Sequence, residues 1–520
     1  DRLAEKNMDL QESEGQAMGI FRFALRGITS DIGNNRMLTI CADGSSVVGM
    51  NYASYHLGRY ASLEWLKANT VLVRQLFDKE RNAIIRSQII KAVIKAEGEE
   101  AWSLVEHVLK SDEDYRVKVN IMASMRPIPW NKASKLIYEF AVGEDPGLSI
   151  AAAEAIKKYA VYTDLGEHLK AIDAAKNWRS RALMIDKGLE LVQGKKPLTK
   201  KIEKKLFAYF AEARHASEKA WLLKGLVHDP AQYQVLVDEV KKANAPVITT
   251  TALETLIAMS STKSFEKEKE AKLKSGIDLD KEFLEVLKLA INSGDVTSVS
   301  LAAGALSDPA MNYKEKITDL EFLKTALNGM QDPEKVEARN ALIVALAYLM
   351  DKQVPRVSPP GFNHPIDWDR IQGLDSDQLA AIVTSKGEVI VQLNVNWCPG
   401  TVGAFLELAE RGFYNDGTIH RVVPNFVAQD GCPRGDGWGG PEFTIRSEFT
   451  PAPFVGGTLG MASAGQDTEG SQWYFTHSPT PHLEGKYTNF GYVVSGMEIV
   501  HQLEVGDIIE RIEILDREGN

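Results

Sequence analysis

Short acidic or polar turns followed by small-residue-rich helical text recur through the first two thirds of the chain. The starts at Asp43, Asp78, Asp112, Asp145 and Asn177 lie 35, 34, 33 and 32 residues apart. The segments they open run to Tyr60, Ala96, Met125, Tyr159 and Leu191, with apolar residues at three and four spacing, the period of one helix face. A two-helix unit of that length has too little apolar surface to fold alone, so units must stack and share a continuous core. Later members are less evenly spaced: Asp295-Val296 leads into Ser300 to Leu306, and Asp332-Pro333 into Ala341 to Leu349. Residues 1–352 are therefore expected to form an all-α solenoid with an extended concave face. An irregular all-helical domain without a true repeat is the alternative.

The unit length and the acidic turn before an Ala-rich second helix resemble HEAT-type repeats. The turn motif of ankyrin repeats and the Trp/Gly/Tyr/Pro pattern of tetratricopeptide repeats are missing. The resemblance implies a client or partner protein on the concave face. Between Gln353 and Leu374 the composition changes: Pro355, Pro359, Pro360, Gly361 and Pro365 remove helix donors and favour extended backbone, which predicts a linker over 353–374. The period then switches from helical to alternating. Ala380 to Thr384, the turn Ser385-Lys386-Gly387, and Glu388 to Leu393 read as a β-hairpin. Residues 375–520 are predicted to form a mainly-β closed barrel with two short helices, Thr401 to Arg411 and Gly496 to Leu503.

The 520 residues carry a formal net charge of −11, which argues against a general phosphate-backbone binder and so against nucleic acid as a partner. Lys195, Lys196, Lys200, Lys201, Lys204 and Lys205 read as a solvated helix face. Cys41, Cys398 and Cys432 have neither disulfide nor zinc-ligand spacing, and no metal or cofactor is expected. No stretch approaches the roughly 18 apolar residues that a membrane span needs. The chain opens on Asp1 rather than Met, so a trimmed N-terminal segment, with any targeting signal, is expected to have preceded it.

Three blocks carry chemistry. Ile419 to Gly431 reads IHRVVPNFVAQDG; Gly457 to Gly465 reads GTLGMASAG and is followed by Glu469-Gly470-Ser471-Gln472-Trp473-Tyr474-Phe475; His482 to Gly491 reads HLEGKYTNFG. In order and distance they resemble the signatures of cyclophilin-type peptidyl-prolyl cis/trans isomerases, and with the opening hairpin the resemblance spans about residues 380 to 516. It implies an isomerase acting on X-Pro bonds of polypeptide clients. Catalytic roles would fall to Arg421, Phe426 and Gln429, and substrate contacts to Val427, Ala462, Ser463, Gln472, Tyr474, His482, Leu483 and Tyr487. The chemistry agrees, because rotation about X-Pro needs neither nucleophile nor metal. It needs a cationic donor near the prolyl nitrogen and an apolar grip on the ring.

Several positions depart from the family's commoner residues: Val427 for methionine, Ser463 for asparagine, Tyr474 for phenylalanine, His482 for an aromatic such as tryptophan, and Tyr487 for histidine. A more polar pocket with altered X-Pro preference is the expectation. A scaffold that binds Pro-containing segments without turnover is the alternative. The run Gly435 to Gly440 opens no helix and reads as a flexible surface loop rather than a phosphate site. His477 and His482, separated by Pro479 and Pro481, lack metal-ligand geometry. Short barrel loops suggest a bacterial periplasmic or cell-envelope protein, with the cytoplasm as the other possibility.

Overall fold

The computed structural model describes residues 10–332, 335–355 and 362–515. Helices occupy the chain from Leu10 to Leu349, and strands begin at Leu379. The second helices of the successive pairs are α1 (Val47–Arg59), α2 (Ala83–Glu97), α3 (Tyr115–Ala123), α4 (Pro146–Tyr159), α5 (Trp178–Leu191), α6 (Ala216–Lys224), α7 (Pro246–Ser260), α8 (Val296–Ser307) and α9 (Val336–Leu349). Each packs on the next in sequence order. One apolar core consequently runs unbroken from Ala17 to Ala345.

The polar turns of the repeating pattern are helix N-caps. The side chains of Ser46, Asn82, Asp114, Asp145, Asn177 and Asp295 each accept a hydrogen bond from a backbone N–H in the first turn of α1, α2, α3, α4, α5 and α8. Capping of this kind is worth about 1 kcal/mol per helix. Asp43, Asp78 and Asp112, expected to open helices, instead lie at or just past the ends of the preceding ones, Asp31–Asp43, Thr70–Lys79 and Trp102–Ser111. Ser46, Asn82 and Asp114 do the capping because they alone sit one residue before the new helix with extended backbone.

The Pro-rich stretch is extended only in part. Pro359, Pro360 and Gly361 fall outside the described residues, and Trp368–Gln372 is a short helix capped by Asp367. Between them, His364 stacks on Phe443 at 3.8 Å and meets Glu407 at 3.1 Å, so this segment is packed against the strand-rich part.

Among the described residues there are nine strands, β1 (Leu379–Thr384), β2 (Gly387–Leu393), β3 (Gly417–Thr418), β4 (Arg421–Val423), β5 (Val427–Asp430), β6 (Thr458–Met461), β7 (Trp473–Thr476), β8 (Asn489–Ser495) and β9 (Ile508–Leu515). Their order is β3-β9-β1-β2-β8-β6-β7-β5-β4. The chain itself closes the ring, since β3 pairs with β9 and runs within three residues into β4, which pairs with β5. Two helices, α10 (Pro399–Glu410) and α11 (Met497–Val500), accompany the barrel, close to the spans read from the sequence. Phe405, Trp473, Phe475 and Phe490 fill its interior.

Helices and barrel meet along a row of helix starts and first turns. Tyr115 at the start of α3 bonds His501 Nδ1 at 2.8 Å, and Asn177, the cap of α5, donates to Glu504 at 2.8 Å. The next residue, Trp178, packs against the barrel core, and a side chain at Gly506 would collide with the ring of His215, the cap of α6. Thr250 in α7 donates to Asp436 at 3.0 Å, and Arg434 forms an ion pair with Asp295, the cap of α8. In α1, Tyr52 donates to Glu484 at 2.8 Å.

Candidate active site

Strand alternation places the key residues on one face. Arg421 pairs with Gln429 across β4 and β5, Gln429 with Tyr474 across β5 and β7, and Tyr474 with Gly460 across β7 and β6. Their neighbours Val422, Ala428, Trp473, Phe475, Leu459 and Met461 point the other way, into the barrel core. With a side-chain period of two, burying the second set turns the first outward. A row from cation to amide to ring thus crosses the outer surface of the barrel.

Hydrogen bonds lock that row. Arg421 Nη1 donates to Gln429 Oε1 at 3.2 Å, and Gln429 Nε2 donates to Gln472 Oε1 at 3.1 Å. Gln472 Nε2 in turn donates to the carbonyls of Gly437 and Gly439, both at 2.8 Å. The glycine-rich run read as a flexible surface loop is therefore an anchored support. Cys432 Sγ accepts from the N–H groups of Gly437 and Gly439, Asp436 accepts from Trp438 N–H, and Asp436 also holds Arg434. Its glycines let backbone, rather than side chains, reach Gln472.

Beside the row lies a small apolar cluster separate from the barrel core: Val427, Phe454, Tyr474 and Leu483, with Phe426, Ala462 and Tyr487 against them. Phe426 follows a tight turn in which Asn425 takes the left-handed conformation at φ 57, tolerated better by Asn than by most residues. Tyr474 lies flat over Gly460, where a Cβ would come within 2.3 Å of its ring, so the glycine makes room for the aromatic floor. The Tyr474 hydroxyl is buried in this cluster and has no hydrogen-bond partner among the described residues. Tyr487 meets Tyr474 edge-on at 6.2 Å.

Phe426 sits between two groups. The Arg421 guanidinium carbon is 5.9 Å from its ring centre, and His482 stacks on it at 5.6 Å. His482 is itself stacked on Tyr55 of α1, whose hydroxyl meets its Nδ1 at 2.8 Å, and Arg59 donates to that hydroxyl. Burial, with the nearby Arg59 as the next cause, pushes His482 down to about 4, so the ring that shares a hydrogen bond with Tyr55 is neutral near pH 7. Burial also pushes Asp430, adjacent to Gln429, up to about 7. Burial lowers the Arg421 pKa, with Tyr487 and Tyr474 acting against that, and arginine remains protonated throughout the physiological range.

Of the residues singled out from the sequence, Arg421, Gln429 and Gln472 form one bonded chain, while Phe426, Val427, Ala462, Tyr474, Leu483 and Tyr487 form the adjoining apolar cluster. Ser463 lies beyond them, in the wall of a neighbouring cavity of about 420 Å³ that Gln429, Ala462 and Gln472 also line. Phe454 was missed; as an aromatic between Pro453 and a Val-Gly-Gly turn it carries no period-based signal. Tyr55 and Arg59 were missed because they belong to a helix more than 400 residues away in sequence.

Residues 379–516 match the family model described as cyclophilin type peptidyl-prolyl cis-trans isomerase. The peptidyl-prolyl cis-trans isomerase B of Bacillus subtilis is 48% identical over 118 residues, which cover 22% of this chain and 82% of that protein. The chain belongs to the cyclophilin-type peptidyl-prolyl cis-trans isomerases. Another relative of the cyclophilin domain, the peptidyl-prolyl cis-trans isomerase of Synechococcus elongatus, is 42% identical over 138 residues, 26% of this chain and 95% of that one. A cyclophilin from Cryptosporidium parvum is similar in structure at 29% identity, covering 27% of this chain and 98% of its own, with a TM-score of 0.26. The cyclophilin domain makes this chain an isomerase of X-Pro peptide bonds. No group of side chains suited to hold a metal ion occurs among the described residues, and no helix among them is long and apolar enough to cross a membrane.

Proposed function

We propose that Arg421 is the catalytic cation of this isomerase, that Phe426 with Val427, Tyr474 and Leu483 grips the proline ring, and that Gln429, Ala462, Ser463 and Gln472 hold the substrate backbone. The observation that carries this reading is the position of the Arg421 guanidinium, 5.9 Å from the centre of the Phe426 ring and beside the only small apolar cluster on the outer barrel surface among the described residues. A proline ring seated on Phe426 brings its nitrogen within reach of that charge. As the amide twists, resonance is lost and the nitrogen gains a lone pair, which a fixed N–H donor stabilises more in the transition state than in the ground state. The fork of donors on arginine suits the role, and the bond to Gln429 fixes its orientation.

The helical pairs, read as HEAT-like repeats, serve in this reading as a platform that presents clients to the barrel. The test is exchange-rate NMR on an X-Pro peptide with the full chain. Arg421→Ala should lower kcat/KM by roughly two to three powers of ten, about 3 to 4 kcal/mol of transition-state stabilisation, with the fold intact by circular dichroism. Retention of most activity would move the catalytic role elsewhere.

A further inference from the structure

The cavity that adjoins the proline pocket has two walls of different origin. Gln429, Ala462, Ser463 and Gln472 supply the barrel side, and α9 of the helical array supplies Val336, Glu337 and Asn340. The cavity has a volume of about 420 Å³, and Ala462 both lines it and packs against the apolar cluster. We infer that α9 completes the substrate site, and that Glu337 selects clients carrying a lysine or arginine close to the X-Pro bond.

The chemistry of the lining carries this. Trp438, Pro441, Phe443, Val336 and Ala464 give apolar walls, and Glu337 is the one charged residue among all those that line the cavity. Glu337 is exposed as a residue, its carboxyl is partly shielded from water so that burial raises its pKa, and it has no hydrogen bond or ion pair among the described residues. A long side chain with an alkyl stem and a cationic head matches that arrangement, because the stem covers apolar wall while the head keeps a charged partner. An acidic side chain in the same place would meet Glu337 as a like charge. Glu337 also lies in the first turn of α9, where a carboxylate favours the helix dipole. That structural benefit is indifferent to the peptide, so substrate preference separates the two roles.

The inference rests on the isomerase reading of the neighbouring pocket. The experiment uses the full chain and exchange-rate NMR on Ala-Pro peptides that carry lysine, norleucine or glutamate at each position within two residues of the proline. At one of those positions lysine should be favoured over glutamate by about fivefold or more in kcat/KM, expressed mainly in KM, since the contact is made equally before and during rotation. The ratio should fall toward unity in Glu337→Gln, reverse in Glu337→Lys and shrink with added salt. Equal rates for the three peptides, or a lysine preference that survives in Glu337→Gln, would overturn the selection by Glu337 while leaving the isomerase site standing. A loss of thermal stability in Glu337→Gln with an unchanged preference would assign the residue to the helix dipole alone and overturn it too. Absence of catalysis toward every peptide would overturn both readings.

Discussion

Tyr55 and His482 lie ring against ring, with centres 5.5 Å apart and planes 17° from parallel, and a 2.8 Å hydrogen bond joins the tyrosine hydroxyl to Nδ1. One is on a helix of the N-terminal array and the other backs Phe426 in the proposed proline pocket. The array therefore supports the pocket from behind. Removing the tyrosine ring in Tyr55→Ala exposes His482, and since burial is the main cause of its low pKa, that pKa should rise from about 4 toward the ordinary histidine range. NMR titration of the His482 ring follows this directly. Isomerase kcat/KM should fall severalfold, because Phe426 loses its fixed neighbour.

The hydroxyl of Tyr474 is buried without a partner among the described residues. Leaving such a group unsatisfied costs about 1–3 kcal/mol. Tyr474→Phe should accordingly raise stability by roughly 1 kcal/mol or more in urea unfolding while keeping the ring over Gly460. A destabilised variant would mean that the hydroxyl is bonded in solution.

Asp430 is 1% exposed, and burial raises its pKa to about 7. The folded protein then holds this proton up to neutral pH, whereas the unfolded chain releases it near 4. The stability it contributes is full below the unfolded value and is lost as pH rises through the folded one, at ~1.4 kcal/mol per pH unit. Asp430→Asn cannot ionise, so its stability relative to the parent should improve between pH 5 and pH 8. Urea melts at the two values test this, and a constant difference would show that Asp430 titrates normally.

The barrel is tied to the array through Glu484, His482, His501, Glu504, Asp436 and Arg434. Proteolysis in the Pro-rich stretch between Gln353 and Leu374 should therefore give two fragments that still elute together in size-exclusion chromatography. Separate elution would mean that these contacts do not hold the halves without the connecting chain.

The extent of what could be read in advance follows from the range of the forces involved. Helix positions in the array were legible because N-caps and face periodicity are local, and the errors at Asp43, Asp78 and Asp112 arose where an acidic residue near a helix end resembles a cap. The signature blocks likewise identified Arg421, Phe426, Gln429, Gln472 and Tyr474 as a set, and β-strand alternation suffices to turn Arg421, Gln429 and Tyr474 to one face, while Phe426 and Gln472 sit in the turns just before β5 and β7. The role of the Gly435–Gly440 loop was not legible, because glycine composition says nothing of which backbone carbonyls a distant glutamine will find.

By itself the sequence determined the two classes of structure and the chemistry of the barrel, since each depends on residues close together in the chain. Only the tertiary structure decided that α1 backs His482 and Phe426 through Tyr55 and that α9 walls the adjoining cavity with Glu337. Those pairings join residues separated by 427 positions in the first case, and no local propensity or period encodes a contact whose existence depends on how the whole array packs against the barrel.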